Sequence, residues 1–313
     1  MNIKQKIKQI RFLYYNLIQC YEIYALVREN VLLFWDFLMR YLSWQPKVLS
    51  ISETINYIKI HNCSVARFGD GEMKLINGHP IKFQVFDELL SSSLAHILET
   101  DSNHKLLVCI PDTFANLGEF EPSARKYWRH FMAHNRANWK RLLHKNIIYG
   151  NAFISRPYMI FKDKSKARNH IDCIMSIWEN RHILVIEGEY SRLGVGNDLF
   201  KFASSVTRIL CPNNNAWHFK NEILNHISKF SKDYIILLAL GPTATVLATD
   251  LSELGYLAID IGHIDVELEW LNLNASTKVP IIGKEVNEAS TTEPIGDCLD
   301  PSYANSISTR IGE

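Results

Sequence analysis

The stretch YIILLALGPTATVLATDLSELGYLAIDIG, residues 234–262, decides the fold. It begins and ends with apolar runs, 234–241 and 256–262, and the segment between them, 243–255, is typical of a helix. Neither run alternates apolar with polar residues, so both are expected to be strands buried on both faces. A strand–helix–strand unit of this kind predicts a parallel sheet covered by helices on both sides.

The same alternation runs through the chain from residue 50 onward. The first helix begins with the capping-box spacing of Ser50 and Glu53. We therefore predict an α/β fold with a doubly wound, mostly parallel sheet. The predicted strands lie at 63–69, 105–111, 146–151, 182–188, 207–212, 234–241 and 256–262, and the predicted helices at 50–61, 87–98, 121–145, 165–180, 197–206, 216–230 and 243–255.

Composition excludes several classes of protein. The chain has 313 residues, 47% of them hydrophobic, which is enough for a sizeable core. Its 34 basic and 33 acidic residues leave a net charge of +1, which argues against nucleic-acid binding by bulk electrostatics. The six cysteines form no CxxC pair, so reduced thiols in a cytoplasmic protein are expected. We find no secretory signal and no run of 18 apolar residues.

The two ends of the chain differ from its middle. We predict an N-terminal amphipathic helical segment (1–47), the α/β domain (48–290) and a polar, irregular and flexible tail (291–313). Three interpretations of residues 1–45 stay open: a helix or helical hairpin packed on the domain, a self-association helix, or an interfacial helix on the inner, anionic face of a membrane. Apolar residues there follow the three-and-four spacing of a coiled coil, at Ile3, Ile7, Ile10, Tyr14, Leu17, Tyr21 and Tyr24.

The stretch DGE follows the first predicted strand of the domain. In open parallel sheets, ligands bind beyond the carboxyl ends of the strands. Asp70 and Glu72 offer the hard oxygen ligands that Mg²⁺ or Mn²⁺ takes together with phosphates. Arg67 would balance that charge or bind a phosphate. The alternative is a solvated Asp-Gly turn.

Two glycine-containing loops also follow strands. EGEYSRLGVGND, 187–198, resembles neither a dinucleotide fingerprint nor a Walker A loop, but Gly194 and Gly196 would let a ligand approach the backbone, and Arg192 adds positive charge. In LGPTAT, 240–245, Thr243 would cap a helix or bind a phosphate. The alternatives are an ordinary strand-to-helix loop and capping alone.

GHIDVELEW, 262–270, places acidic and imidazole groups at alternate positions. If the segment is extended, His263, Asp265 and Glu267 point to one side, where one of them would be a third metal ligand or a catalytic base. A polar surface strand is the alternative. His130 and His134 have the i, i+4 spacing of a zinc helix, but no glutamate follows His130, so we favour a solvated basic helix there.

Four motifs in this order resemble the GT-D type of bacterial glycosyltransferase. The resemblance covers roughly 48–290. It implies a Rossmann-like domain that transfers a sugar from a nucleotide-sugar donor, such as a UDP-sugar, to a glycan of a surface polysaccharide or glycoprotein. The motifs are SVARFGDGE, EGEYSRLGVGNDLF, LALGPTATVLATDLSELGYLAIDIGHIDVELEW and VPIIGKEVNE.

The resemblance gives roles to the candidate residues. It links Asp70 and Glu72 to a divalent metal, Mn²⁺ or Mg²⁺, and to the donor. The expected partners are a nucleotide sugar and a glycan acceptor, for which a lipid-linked glycan would suit the N-terminal segment. The candidate bases are Asp265, His263 and Asp112, and the expected donor-binding residues are Arg67, Gly69, Glu187, Arg192, Gly194, Gly196, Asn197, Asp198, Gly241 and Thr243.

Two other functions fit the same residues. A metal-dependent phosphohydrolase of nucleotides or nucleotide sugars would use the same carboxylates and phosphate loops. It would consume its donor equally fast without an acceptor. A non-catalytic nucleotide-binding module would bind tightly and show no turnover.

Overall fold

We describe a computed structural model of the chain over residues 3–100, 104–289 and 295–312, with the side chains of 3–13 not described. The apolar positions Ile3, Ile7 and Ile10 of the predicted N-terminal stripe lie outside the described side chains. Among the described residues, the strands are β1 (Lys47–Val48), β2 (Ser64–Arg67), β3 (Leu106–Ile110), β4 (Ile148–Asn151), β5 (His182–Gly188), β6 (Ser205–Cys211), β7 (Ile235–Ala239), β8 (Leu257–Asp260) and β9 (Ile307–Arg310).

The helices lie between these strands and at the N-terminus. A capping box of Ser50 and Glu53 begins the second helix, as the sequence predicts. The α-helices of the described residues are α1 (Ile3–Leu42), α2 (Ile51–His61), α3 (Asp70–Ile76), α4 (Glu88–Glu99), α5 (Pro122–Leu142), α6 (Ala167–Met175), α7 (Lys220–Ile227), α8 (Pro242–Glu253), α9 (Ile264–Asn272) and α10 (Pro301–Ser306).

The strands form one sheet in the order β1-β4-β3-β2-β8-β7-β5-β6-β9. Every pairing between neighbouring strands is parallel. The residues of β3 are all buried, and β5 is buried from Ile183 to Gly188, which is typical of strands with helices on both faces. The predicted doubly wound α/β fold is confirmed, and the sheet is parallel throughout.

Three local predictions were wrong. The segment 197–206 is not a helix: the carbonyls of Leu199 and Phe202 accept hydrogen bonds from Trp178 and Asn180, between α6 and β5, and residues 205–206 begin β6. Residues 264–272 form α9 instead of an extended strand. Residues 301–310 of the predicted irregular tail form α10 and β9, and β9 pairs with β6 at the sheet edge. Residues 290–294 and 313 lie outside the described residues.

The N-terminal segment is one long helix and not a hairpin. Polar contacts hold its C-terminal half on α5: the buried Asp36 carboxylate lies 2.6 Å from Nε of Arg136, and Gln45 accepts a hydrogen bond from the same guanidinium at 3.1 Å. Of the helices in the described part of the chain, none combines the length and the apolar character needed to cross a membrane.

Candidate functional site

A cleft of about 400 Å³ opens at the carboxyl ends of β2, β8, β7 and β5. This is the edge at which a doubly wound sheet binds its ligands. Gly241, at the start of α8, has φ +55°, and a Cβ there would lie 2.4 Å from Cε2 of Phe83. The segment carrying Phe83 therefore packs directly on the backbone at the end of β7 and forms one wall of the cleft.

The floor of the cleft is a buried ion pair between neighbouring strands. Nη2 of Arg67, at the end of β2, lies 2.6 Å from Oδ1 of Asp260, at the end of β8, and its Nε donates to the carbonyl of the same aspartate. Gly262 has φ +40°, and a Cβ there would lie 1.9 Å from Nη2 of Arg67. The guanidinium is thus held between two strand ends, with its donors directed at Asp260 and Ala152.

Asp70 and Glu72 lie in the first turn of α3, and both line the cleft. Oδ2 of Asp70 accepts hydrogen bonds from Lys74, at 2.6 Å, and from the hydroxyl of Tyr127. Burial raises the pKa of the Asp70 carboxyl, but these hydrogen bonds lower it by more. The net pKa therefore lies below its ordinary value. Oε2 of Glu72 accepts from the amide of Gly69 at 2.7 Å, and burial raises the pKa of Glu72 to about 7.

His263, Arg156 and Glu288 form a second polar group in the cleft. Nη1 of Arg156 lies 2.9 Å from Oε1 of Glu288. Burial alone would raise the pKa of Glu288, but Arg156, His263 and Lys278 together outweigh it, and the pKa falls to about 2. Burial and then Arg156 lower the pKa of His263 to about 3, so its ring is neutral. Nδ1 of His263 is buried and has no hydrogen-bond partner among the described residues.

The loop 188–198 is fixed by a buried ion pair beneath it. Glu187 is fully buried, pairs with Arg208 of β6, and accepts a hydrogen bond from the amide of Leu193 at 2.7 Å. Arg192 turns away from the cleft and donates to the carbonyls of Gly283 and Gly296. Both charged side chains therefore stabilise the loop and the chain segments packed on it.

Both carboxylate oxygens of Asp265 contact other residues. Its Oδ1 accepts hydrogen bonds from the amide of Gly194 at 2.7 Å and from Asn197 at 2.8 Å. Its Oδ2 lies 2.7 Å from Nζ of the buried Lys284. Glu267, on the same helix, accepts from two backbone amides, at Tyr158 and Met159. Helix α9 thus connects three loops through its carboxylates.

The comparisons with known proteins agree with this architecture. The family described as "Glycosyltransferase GT-D fold" matches residues 65–289. The chain belongs to this family. It is 42% identical over 265 residues to "Glycosyltransferase GlyD" of Streptococcus pneumoniae serotype 4, covering 85% of this chain and 32% of that protein. It is 37% identical over 269 residues to "Probable glycosyl transferase Gly" of Streptococcus gordonii, covering 86% of this chain and 39% of that protein.

A solved structure described as the highly conserved domain of unknown function 1792, with a distinct glycosyltransferase fold, superimposes on this GT-D chain with a TM-score of 0.85. It is 42% identical, and the match covers 88% of this chain and 100% of the other. The chain spans about a third of the length of the curated relatives.

The GT-D structure brings together about half of the residues predicted for the site. Those that line the cleft are Arg67, Gly69, Asp70, Glu72, Gly241, His263 and Asp265. Those that do not line it are Asp112, Glu187, Arg192, Gly194, Gly196, Asn197, Asp198 and Thr243. Among the latter, Asp112 is exposed, Thr243 is buried, and Asp198 pairs with Arg168 and Lys201.

Ten polar residues that line the cleft were not predicted as site residues: Lys74, Lys82, Gln84, Arg156, Ser191, Asn213, Asp260, Glu285, Asn287 and Glu288. Arg156 follows β4, and Asn213 follows β6, so the strand-end rule would find both. Asn287 and Glu288 follow no strand and reach the cleft through the segment 279–288. The small cluster of Val266, Trp270, Ile281 and Val286 packs this segment on α9, a contact between distant parts of the chain.

Among the described residues, no group of three or more His, Cys, Asp or Glu side chains is arranged to hold a metal ion. Oδ1 of Asp70 and Oε1 of Glu72 are the carboxylate oxygens of α3 to which the described residues donate no hydrogen bond. Two carboxylates suffice for Mg²⁺ when phosphates and waters complete its octahedron. Asp70 and Glu72 thus each keep one oxygen of the type that Mg²⁺ takes as a ligand.

Proposed function

We propose that the chain is a glycosyltransferase that moves a sugar from a nucleotide-sugar donor, of the UDP-sugar type, to a glycan acceptor. The observation that supports this is the juxtaposition of Arg156 and Lys74 with Asp70 and Glu72 in one cleft of a GT-D chain. The cations suit a diphosphate, and the carboxylates suit a divalent ion that bridges to it. The sugar hydroxyls would meet the polar wall at Asn213.

In the proposed reaction, an acceptor hydroxyl oxygen bonds to the anomeric carbon as the bond from that carbon to the diphosphate oxygen breaks. The electron pair of the broken bond leaves with the nucleoside diphosphate, so negative charge develops there. Arg156, whose planar guanidinium pairs with Glu288 in the cleft, stabilises that charge. Gly241 exposes the backbone at the N-terminus of α8 to the same region.

The proton of the acceptor hydroxyl needs a base. We propose His263 for this role, because its buried Nδ1 lacks a partner and its ring lines the cleft. A bound diphosphate would raise the pKa of His263 toward its ordinary range, since the charge of Arg156 is one cause of the low value. Asp265 is the weaker candidate, because its two oxygens already accept three hydrogen bonds.

We propose a divalent ion, Mn²⁺ or Mg²⁺, as the cofactor. Asp70 and Glu72 would hold it through the two oxygens that are free of hydrogen bonds from the described residues. When bound, the ion neutralises charge on the departing diphosphate.

The test is thermal shift of the purified chain with a panel of nucleotides and UDP-sugars, each with Mn²⁺ and with EDTA. Binding to the native state raises its apparent stability by mass action. We expect UDP and a UDP-sugar to raise the melting temperature, and we expect EDTA to make this shift smaller. A shift that EDTA leaves unchanged would reject the metal, and no shift with any nucleotide would reject the donor site. Donor consumption at equal rates with and without acceptor would favour the phosphohydrolase, and binding without turnover would favour the non-catalytic module.

We further propose that α1 rests on the inner, anionic face of a membrane, where it would meet a lipid-linked acceptor. Val31, Phe34 and Trp35 are exposed on α1, and Trp35 keeps 59% of its surface accessible. All six cysteines are free, which suits a reducing compartment such as the cytoplasm.

A further inference from the structure

A second cavity lies directly beside the cleft. It is a groove of about 790 Å³ between the C-terminal part of α3, the outer face of α5 and one turn of α1 that carries Glu29. Lys74 lines both the cleft and the groove. Its ammonium contacts Asp70 at 2.6 Å and the hydroxyl of Tyr127 at 3.3 Å, so a single layer of side chains separates the two cavities.

The side chains of the groove both donate and accept hydrogen bonds. Three asparagines and three histidines line it, together with the rings of Tyr127 and Phe131. The rings stack with their planes 13° apart, and Tyr127 keeps 45% of its surface exposed. Sugar hydroxyls also donate and accept, and the apolar face of a sugar ring packs on an aromatic ring. This lining therefore suits a carbohydrate.

The amides of the groove are fixed in place before any ligand binds. Nδ2 of Asn77 donates to Asn135, and Nδ2 of Asn138 donates to Asn77, each at 2.9 Å. Among the described residues, neither Oδ1 of Asn138 nor the exposed ring of His79 has a hydrogen-bond partner. The chain of amides thus ends in an oriented acceptor at Asn138, and this order lowers the entropic cost of binding a ligand in the groove.

The charged side chains Lys74 and Glu29 of the groove both have partners. Lys74 pairs with Asp70, and the Glu29 carboxylate lies 2.6 Å from Nδ1 of His130 and 2.8 Å from Nε2 of His134. The cleft, by contrast, is also lined by Lys82, which forms no ion pair among the described residues. A neutral sugar suits the groove better than a phosphate, because its binding would leave no charge unpaired.

We infer that this groove is the binding site of the acceptor glycan, and that the N-terminal helix contributes to it through Glu29; this inference rests on the proposed transferase function. A glycan lying in the groove would end at Lys74 and Tyr127, beside the donor cleft. Glu29 lies outside the residues that match the GT-D family, so acceptor choice would depend on a helix that the family domain does not include.

The experiment compares the double variant H79A/N138A with the matched control H226A/N225A, which removes the same two residue types from α7. Binding of the methyl glycosides of glucose, galactose and N-acetylglucosamine is followed by saturation-transfer NMR without nucleotide. Transfer from UDP-sugar and release of UDP in the absence of acceptor are measured in parallel. E29Q is tested in the same assays to isolate the contribution of α1.

We expect the wild type and the control to bind one of these glycosides and H79A/N138A to lose that signal. We also expect H79A/N138A to raise the acceptor KM at least about tenfold while acceptor-independent UDP release stays unchanged. If H79A/N138A transfers sugar with an unaltered acceptor KM, the groove is not the acceptor site, but the transferase function stands. Glycoside binding that depends on His79 and Asn138 without any transfer would keep the groove and reject the transferase. If the wild type binds none of these glycosides, the assignment of the groove as the acceptor site is wrong.

Discussion

The carboxylate of Asp70 accepts hydrogen bonds from two different helices. Lys74 reaches it from one turn further along α3, and Tyr127 reaches it from α5. The side chain keeps 36% of its surface exposed, so these contacts contribute little to the free energy of folding. Because it lies between the cleft and the groove, we expect its negative charge to act in ligand binding rather than in folding.

Asp70→Asn is therefore expected to separate turnover from stability. The amide oxygen can still accept from Lys74 and Tyr127, but it lacks the charge that a divalent ion requires. We expect sugar transfer to fall at least about a hundredfold and the melting temperature to change by less than about 3 °C. The control is Asp172→Asn, which removes an exposed ion pair with Arg168 on α6. Equal turnover in the two variants would contradict the role given to Asp70.

His263 makes the free energy of unfolding depend on pH. Its pKa in the folded chain is about 3, below the ordinary value of 6.5, because burial and Arg156 disfavour its charged form. The unfolded chain takes up this proton below about pH 6.5 and the folded chain does not, so the stability is complete above that pH and is lost as the pH falls toward 3.

We expect the wild type to lose about 1 kcal/mol relative to His263→Gln between about pH 7.5 and about pH 5.5. Urea denaturation at both values measures this difference. Glu72, with its raised pKa of about 7, acts in the opposite direction, but it is present in both proteins and cancels. A difference between the two proteins that does not change with pH would show that His263 titrates normally.

At the scale of elements, the loop 188–198 depends on the ion pair beneath it. Glu187→Gln keeps the shape of the side chain but leaves the guanidinium of Arg208 buried without its carboxylate. We expect a loss of about 3 kcal/mol in the free energy of unfolding, measured with urea. Glu189→Gln is the control, because its pair with Arg310 is exposed and is worth less than about 1 kcal/mol.

The outcome also decides between two roles for Glu187. If Glu187→Gln unfolds like the wild type but no longer binds UDP, the residue belongs to the donor site, as the sequence predicts. If Glu187→Gln lowers the free energy of unfolding and the folded fraction still binds UDP, Glu187 has the structural role of stabilising the loop.

Elements with strong local patterns could be predicted from the sequence. The capping box at Ser50 and the apolar strands β5 and β7 carry their own signals. Helix α9 could not be separated from a strand, because His263, Asp265 and Glu267 fit period two, and the burial of nearly every residue of 264–270 leaves no helical stripe. Strand β9 is short and half-exposed, and it forms because β6 offers an unpaired edge.

The residues of the candidate site also divide into those that a local sequence pattern predicts and those that it does not. Arg67, Asp70 and His263 follow strands, so the topology of the sheet alone places them at the cleft. Glu288 is brought there by packing of the 279–288 segment on α9, which no short motif encodes. Arg192 and Glu187 lie at a strand end where a donor site is expected, but the sequence could not show that each is paired with partners distant along the chain.

At the scale of the whole molecule, the 40-residue helix α1 has two faces along its C-terminal half. One face packs on α5 through Glu29, Asp36 and neighbouring residues. The other exposes large apolar side chains over about half of the circumference, as the spacing of these positions at 100° per residue shows. Those exposed are Ile23, Tyr24, Leu26, Val27, Val31, Phe34, Trp35, Phe37, Tyr41 and Leu42.

A face of this width suits the surface of a membrane better than the narrow seam of a two-stranded coiled coil. The basic residues Lys4, Lys6, Lys8 and Arg11 precede it in the sequence and would favour anionic lipid. The groove that carries Glu29 lies on the opposite side of the same helix, so membrane contact would leave it open to a lipid-linked glycan.

We therefore expect the chain to sediment with vesicles of phosphatidylcholine and phosphatidylglycerol, and much less with phosphatidylcholine alone. The double variant F34E/W35E should lose this binding, because two charges would enter the apolar layer. The control I60E/L89E changes two equally exposed apolar residues on α2 and α4 and should bind as the wild type does. Absence of vesicle binding, together with a dimer in light scattering that F34E/W35E dissociates, would replace the membrane by a second copy of the chain as the partner of α1.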